Sequence, residues 1–425
     1  MKKNKCIWGI LLTAGVILSA CGGGDKKEVI ISTGDITVQQ SSMSDDVQEA
    51  DLDILFSQCT YLTEEMYERA TAYPEGDLSR IAAAMRKAKA GEKVTVGVIG
   101  GSITQGSSSS GQSKSYAAYL KKWWEDTFPD SEIEFINAGV GATDSYLGVH
   151  RVGEDLLAYE PDFVVVEFSV NDSNSLFHKK SYDNLLRRIL KEDYAPAVLL
   201  LFMTMENGAS AQENDAGIGF QYALPMISYK NAVLEEIADG NFTWKDISPD
   251  NIHPNDRGHA IVGELLSVYL SDVYTRLDTI ELEVEPFDKP VITKEVYQDA
   301  TILSNRDIEP EDWGSFIKQD VNNRFPGNWN TLTGEEGIVF TVEAANIGIM
   351  YQKTTDGLSG QFEVYVDGEY AMTLDADFKG GWGNYGESTE VFVSQDQEIK
   401  EHRIEIKKKE GSTGDAFIIL GLLIS

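Results

Sequence analysis

The stretch VTVGVIGGSITQG, residues 94–106, decides how this chain is read. Six residues, Val94 to Ile99, apolar but for Thr95, read as a strand that runs directly into the Gly100-Gly101 pair. Ser102 therefore emerges at the carboxyl end of a strand, where open α/β sheets place their ligands. Alone, a serine after glycines at a strand-to-helix turn is commonly just a helix cap. The stretch lacks the GxGxxG spacing of a dinucleotide loop, which argues against an NAD-type binding protein. Thr104 stands where the GxSxG elbow of α/β-hydrolases requires its last glycine.

Downstream, short apolar runs alternate with amphipathic ones: Tyr116 to Phe128, Ile133 to Asn137, Phe163 to Val170, Tyr182 to Leu190 and Val198 to Met203. Helical patterns from Ile227 to Ala238 and Asp256 to Tyr274 follow. The β-α-β-α order implies a three-layer α/β/α unit with a mainly parallel sheet. It spans residues 52–277, with two N-terminal helices in residues 52–91. Beyond residue 278 the pattern becomes alternating strands. Asp367-Gly368, between Phe362 to Val366 and Tyr370 to Leu374, is a two-residue hairpin signal. Residues 278–425 accordingly read as a jelly-roll-like β-sandwich and a candidate carbohydrate-binding domain.

The first 21 residues read as a leader, because Lys2, Lys3 and Lys5 precede an apolar run, Ile7 to Leu18, too short to span a bilayer. Leu18-Ser19-Ala20-Cys21 resembles the lipobox of bacterial lipoproteins, which implies cleavage before Cys21, its lipidation, and an extracytoplasmic enzyme anchored to the membrane. Residues 22–51 are polar and aperiodic, as expected of a tether. Removing the leader and acylating Cys21 would leave Cys59 as the one free thiol, so a cysteine metal site and an internal disulfide are excluded by count. A formal net charge of -33, from 69 acidic and 36 basic residues, repels nucleic acid.

A serine hydroxyl becomes a nucleophile only when a base takes its proton and a third group orients that base. Of five histidines, His253 alone stands in a matching acid motif, Asp250-Asn251-Ile252-His253, flanked by Pro249 and Pro254. His150, His178, His259 and His402 read as structural. An acyl-transfer site also needs donors for a developing oxyanion. The segment Ala138 to Thr143 offers Gly139 or Gly141, and Asn171 offers a carboxamide.

Gly-Gly-Ser-Ile-Thr, Asn-Ala-Gly-Val-Gly-Ala-Thr, Ser-Val-Asn-Asp and Asp-Asn-Ile-His-Pro-Asn resemble, in this order, the four signature blocks of SGNH (GDSL-like) hydrolases. The resemblance covers residues 92 to 275. It implies Ser102 as nucleophile and first oxyanion donor, Gly141 and Asn171 as the others, and Asp250 and His253 as triad partners. It also implies an acyl-enzyme and no metal or organic cofactor. The second block is one residue tighter than the commoner form, which leaves Gly139 as an alternative to Gly141. Export, the lack of an apolar lid and a sandwich with Trp382, Tyr385 and Trp329 as candidate sugar-stacking residues favour an O-acetylated oligo- or polysaccharide as substrate. A lipase, lysophospholipase or acyltransferase with the same triad remains open, as does a non-catalytic glycan-binding lipoprotein.

Overall fold

A computed structural model of the protein describes residues 54–281 and 283–425. The leader, the tether and Cys21 lie outside the described residues. The first sheet has five parallel strands: β1 (Val94–Gly100), β2 (Ile133–Gly139), β3 (Phe163–Glu167), β4 (Ala197–Phe202) and β5 (Met226–Ser228), in the order β2-β1-β3-β4-β5. In such an order the crevice lies between β1 and β3, where the winding reverses.

Strand β3 shows why its run is apolar on both sides. Phe163 and Val165 join a core with helices Ser79–Lys89, Tyr116–Thr127 and Asp256–Thr275, while Val164 and Val166 face helices Ser145–Asp155 and Leu176–Leu190. Alternation along a strand sends neighbouring side chains to opposite faces, so a strand between two helical layers needs apolar residues throughout. The sequence reading ran this strand to Val170. Pairing with β1 stops at Glu167, and the N–H groups of Asn171 and Asp172 turn back onto the Phe168 carbonyl. That turn brings Asn171 over the sheet edge.

After the long helix Asp256–Thr275, ten antiparallel strands follow: β6 (Thr301–Leu303), β7 (Ile317–Gln319), β8 (Asn328–Thr331), β9 (Ile338–Ala344), β10 (Asn346–Lys353), β11 (Gln361–Val366), β12 (Glu369–Asp375), β13 (Tyr385–Val393), β14 (Lys400–Lys408) and β15 (Phe417–Ile424). They form one sheet in the order β13-β10-β15-β8-β7, with β6 also on β15, and a second in the order β12-β11-β14-β9. The Asp367-Gly368 hairpin has positive φ at both residues, 53° and 83°, as its tight turn requires.

The two sheets enclose a core that includes Phe340, Phe362, Ile404, Ile406 and Phe417. Trp329 belongs to it: the indole is 0% exposed and meets Phe340 edge-on, with centroids 4.9 Å apart. The expectation that Trp329 stacks on sugar is therefore corrected. It lies on β8, whose four residues are all buried, and a packed aromatic has no face left for a ligand.

This β portion packs directly on the second helical layer. Met350, Leu420 and Leu423 join the core that holds Val164 and Val166. Lys180 bridges to Glu390 at 3.0 Å, Tyr297 donates to the same carboxylate, and Arg324 pairs with Asp155. Apolar burial supplies the attraction and the charged pairs fix the seating. The β13 end and the loop before β8 are thereby held beside the carboxyl edge of the parallel sheet.

Candidate active site

In the parallel pairing, Gly100 stands level with Gly139 on one side and Glu167 on the other. Three strands thus end at one height, and the residues that follow leave the sheet together. Ser102 starts the short helix Ser102–Gln105, which ends at Gly106 with φ 99°. Its Oγ lies 2.9 Å from Nε2 of His253, and Nδ1 of that ring lies 2.8 Å from Oδ2 of Asp250. The network fits the tautomer in which Nδ1–H donates to the carboxylate and Nε2 accepts from the serine hydroxyl.

The loop holding this pair is braced by its own backbone. Asp250 Oδ1 accepts the N–H groups of Ile252 and His253, each at 2.7 Å, an Asx-type turn that aims both side chains the same way. Trp244 Nε1 donates to the Asp250 carbonyl, Ser248 Oγ lies within hydrogen-bond reach of the carbonyls of Asp250 and His253, and Asn255 caps the following helix. Partial burial pushes the Asp250 carboxyl up, but hydrogen bonds from the His253 ring, its backbone and the Ile252 backbone outweigh it and hold the group below its ordinary range.

Ser102, Gly141 and Asn171 line one cleft. The Ser102 N–H, at the first position of a helix, has no intrahelical partner. Asn171 lies across Gly101 so closely that a Cβ there would sit 2.2 Å from its Oδ1, so only glycine admits the carboxamide. Gly141 flanks Ser102 from the other side, its Cβ direction passing 3.8 Å from the serine Cβ. Gly139 is placed differently: its N–H donates to Asn137 Oδ1 at 2.9 Å, and its Cβ direction runs into the backbone of Thr104 and Gln105. The Gly141 N–H is engaged as well, donating to Gln105 Oε1 at 2.9 Å, so what separates the two glycines is that the Cβ direction of Gly141 passes Ser102 while that of Gly139 meets the backbone of the Ser102 helix.

The other histidines are engaged elsewhere. His259 is fully buried, with Nδ1 accepting from the Tyr116 N–H and Nε2 against the Ser107 carbonyl. His150 is buried under Tyr297, and His402 pairs with Asp367 in the β portion. His178 does lie near acids, Asp144 and Asp172, and near Ser173. Its Nδ1 accepts the Ser173 backbone N–H at 3.1 Å, so that nitrogen is not free to serve as a base.

The Ser102–His253–Asp250 line opens into a cleft of about 830 Å³ whose far wall comes from the β portion, with Asn322, Arg324, Phe325, Trp382, Asn384 and Tyr385. Trp382 and Tyr385 stack with centroids 4.8 Å apart and planes 24° from parallel, braced edge-on by Phe378. Trp382 is 64% exposed. Asn322, Arg324 and Asn384 carried no sequence signal, because only the packing of the β portion brings them here.

Glu167 is the one charged residue of β3. It lies wholly buried beneath the serine turn, with Ser169 Oγ 3.1 Å from one carboxylate oxygen. Burial pushes its carboxyl up to about 7, against the lowering effect of that hydrogen bond.

A model of the GDSL-like lipase/acylhydrolase family matches residues 98–261. The structure of a two-domain esterase active on acetylated mannans is 34% identical to this chain, with a TM-score of 0.79, covering 84% of this chain and 98% of that one. A second such structure, co-crystallized with mannopentaose, is also 34% identical, with a TM-score of 0.75 and coverage of 84% and 97%. Among curated protein sequences none matches. The chain belongs to the GDSL-like lipase/acylhydrolase family. It is accordingly a carboxylic ester hydrolase, built as an SGNH-like α/β unit followed by antiparallel β-sheets.

One prediction follows from Glu167. A buried acid whose folded pKa is raised binds its proton more tightly in the folded state, so stability falls as pH rises from the unfolded value toward 7. Glu167→Gln removes that loss. It is expected to stabilise the protein at pH 8 by about 2–3 kcal/mol in urea unfolding, with most of the gain gone at pH 5. A gain equal at both pH values would place the effect elsewhere.

Proposed function

We infer that the protein removes O-acetyl groups from mannan-type oligo- or polysaccharide, with Ser102 as nucleophile, His253 as base and Asp250 orienting it. The observation that carries this reading is the line of 2.9 and 2.8 Å contacts opening into a cleft whose opposite wall bears a stacked aromatic pair, Trp382 and Tyr385. As Ser102 Oγ attacks the ester carbonyl, its proton passes to His253 Nε2, and the imidazolium is stabilised by Asp250. The carbonyl oxygen becomes an oxyanion among the Ser102 N–H, the Gly141 N–H and Asn171 Nδ2. The sugar oxygen leaves with the proton from His253. Water, deprotonated by the same ring, then attacks the acetyl-serine and releases acetate.

The mannan preference draws support from the 34% identical esterases, which span nearly the whole of their own length in the comparison. Trp382 and Tyr385 offer flat apolar faces to the C–H face of a pyranose, while Asn322, Arg324 and Asn384 offer partners for hydroxyls. The lipobox-like Leu18 to Cys21 supports the further reading that the enzyme is exported and anchored through a lipid on Cys21, where it meets polysaccharide.

Ser102→Ala is expected to lower turnover of p-nitrophenyl acetate at least ~1000-fold with an unchanged melting temperature; retained activity would reassign the nucleophile. Trp382→Ala is expected to raise KM for acetylated mannooligosaccharides about tenfold while leaving p-nitrophenyl acetate kinetics within twofold, since only the glycan reaches the indole. Equal effects on both substrates would remove Trp382 from glycan binding. In the producing cell, wild type should partition into the detergent phase of Triton X-114 and Cys21→Ala into the aqueous phase. An aqueous wild type would end the anchor proposal.

A further inference from the structure

Gln105 closes the helix that Ser102 opens, and its exposed side chain borders the cleft. Its Oε1 accepts the Gly141 N–H at 2.9 Å. This is the amide that the proposed mechanism gives to the oxyanion, so in the resting enzyme one of three donors already has an acceptor. The backbone of Gln105 is fixed, with its N–H donating to the Gly101 carbonyl and Gly139 packed against it. The carboxamide is not: it sits at the cleft edge, at the end of a chain of rotatable bonds.

We propose that Gln105 is a displaceable cap on the Gly141 oxyanion donor, released as negative charge develops on the substrate oxygen. The inference rests on the esterase reading above. The energetic logic is a comparison of acceptors. A neutral ester carbonyl accepts a hydrogen bond no better than the carboxamide oxygen of Gln105, so binding the substrate gives no reason to exchange one for the other. A tetrahedral oxyanion makes a charge-assisted bond roughly twice as strong as a neutral one, and the exchange then runs toward the substrate. The Gly141 donor consequently acts in the transition state and is withheld from the ground state, which is the condition under which an interaction raises kcat and leaves KM alone.

The test uses the purified esterase with Gln105→Ala and Gln105→Glu, and it measures kcat and KM on p-nitrophenyl acetate and the inhibition constant of phenylboronic acid. The boronic acid forms an O–B bond to serine and becomes a tetrahedral anion that mimics the oxyanion. Freed of its cap, Gln105→Ala should show a KM about three- to tenfold lower, kcat within about threefold, and boronate binding at least as tight as wild type. Gln105→Glu should hold the amide more strongly and repel the anion, lowering kcat and boronate affinity by about tenfold or more. The proposal is overturned if Gln105→Ala loses kcat and boronate affinity together by about tenfold, which would make Gln105 a brace for the Gly141 loop. It is equally overturned if neither variant changes any of the three quantities. Failure of the esterase reading itself looks different: wild type would not hydrolyse the ester, or Ser102→Ala would leave hydrolysis intact.

Discussion

The in-register pairing of β1 with β2 and β3 is the constraint on which the site depends. It sets Gly100 level with Gly139 and Glu167, so that the serine turn, a glycine turn and an asparagine turn all leave the sheet at one edge. A one-residue slip in a parallel sheet would invert every side chain between the two helical cores and separate these turns by a strand step. The register is held because β1 and β3 are buried along their whole length between two layers of helices. Fold stability and the placement of these turns therefore have one origin. The acid–histidine pair is the exception, arriving from a distant loop that is rigid through its own Asx turn and the helix cap at Asn255.

The glycines near Ser102 serve close approach more than backbone freedom. At Gly101 the missing side chain leaves room for the Asn171 carboxamide, and at Gly139 it lets the end of β2 lie against the helix that Ser102 opens. Beneath them, Glu167 is buried away from water, which favours its protonated form. The buried acid carries a stability cost at neutral pH, yet its second oxygen lies 3.5 Å from Thr104 Oγ1, in a four-residue helix too short to hold its own shape.

Much of this was legible in the sequence, for physical reasons that differ from part to part. Two-sided apolar strands announce a parallel sheet, and Asp250 to His253 is local enough for its spacing to fix the geometry. Asp367-Gly368 announced its hairpin because few residues adopt two successive positive φ values. What sequence could not reveal depends on long-range packing. Trp329 and Trp382 are both tryptophans flanked by asparagine or glycine, and only the sandwich decides that one is core and the other lines the cleft. Arg324 and Asn322 reach the cleft because Met350, Leu420 and Leu423 seat the β-sheets on the helices. The strand end at Glu167, three residues earlier than its apolar run suggested, was likewise set by the turn onto the Phe168 carbonyl.

A direct chemical readout of the nucleophile tests the account most sharply. Incubation with a fluorophosphonate, in which the attacking oxygen forms a bond to phosphorus and fluoride leaves, followed by peptide mass spectrometry, locates the reactive hydroxyl. The account predicts one phosphonyl adduct, on Ser102, in wild type, and its loss when His253 is replaced by alanine. An adduct on another serine, or labelling that persists undiminished without the imidazole, would contradict it.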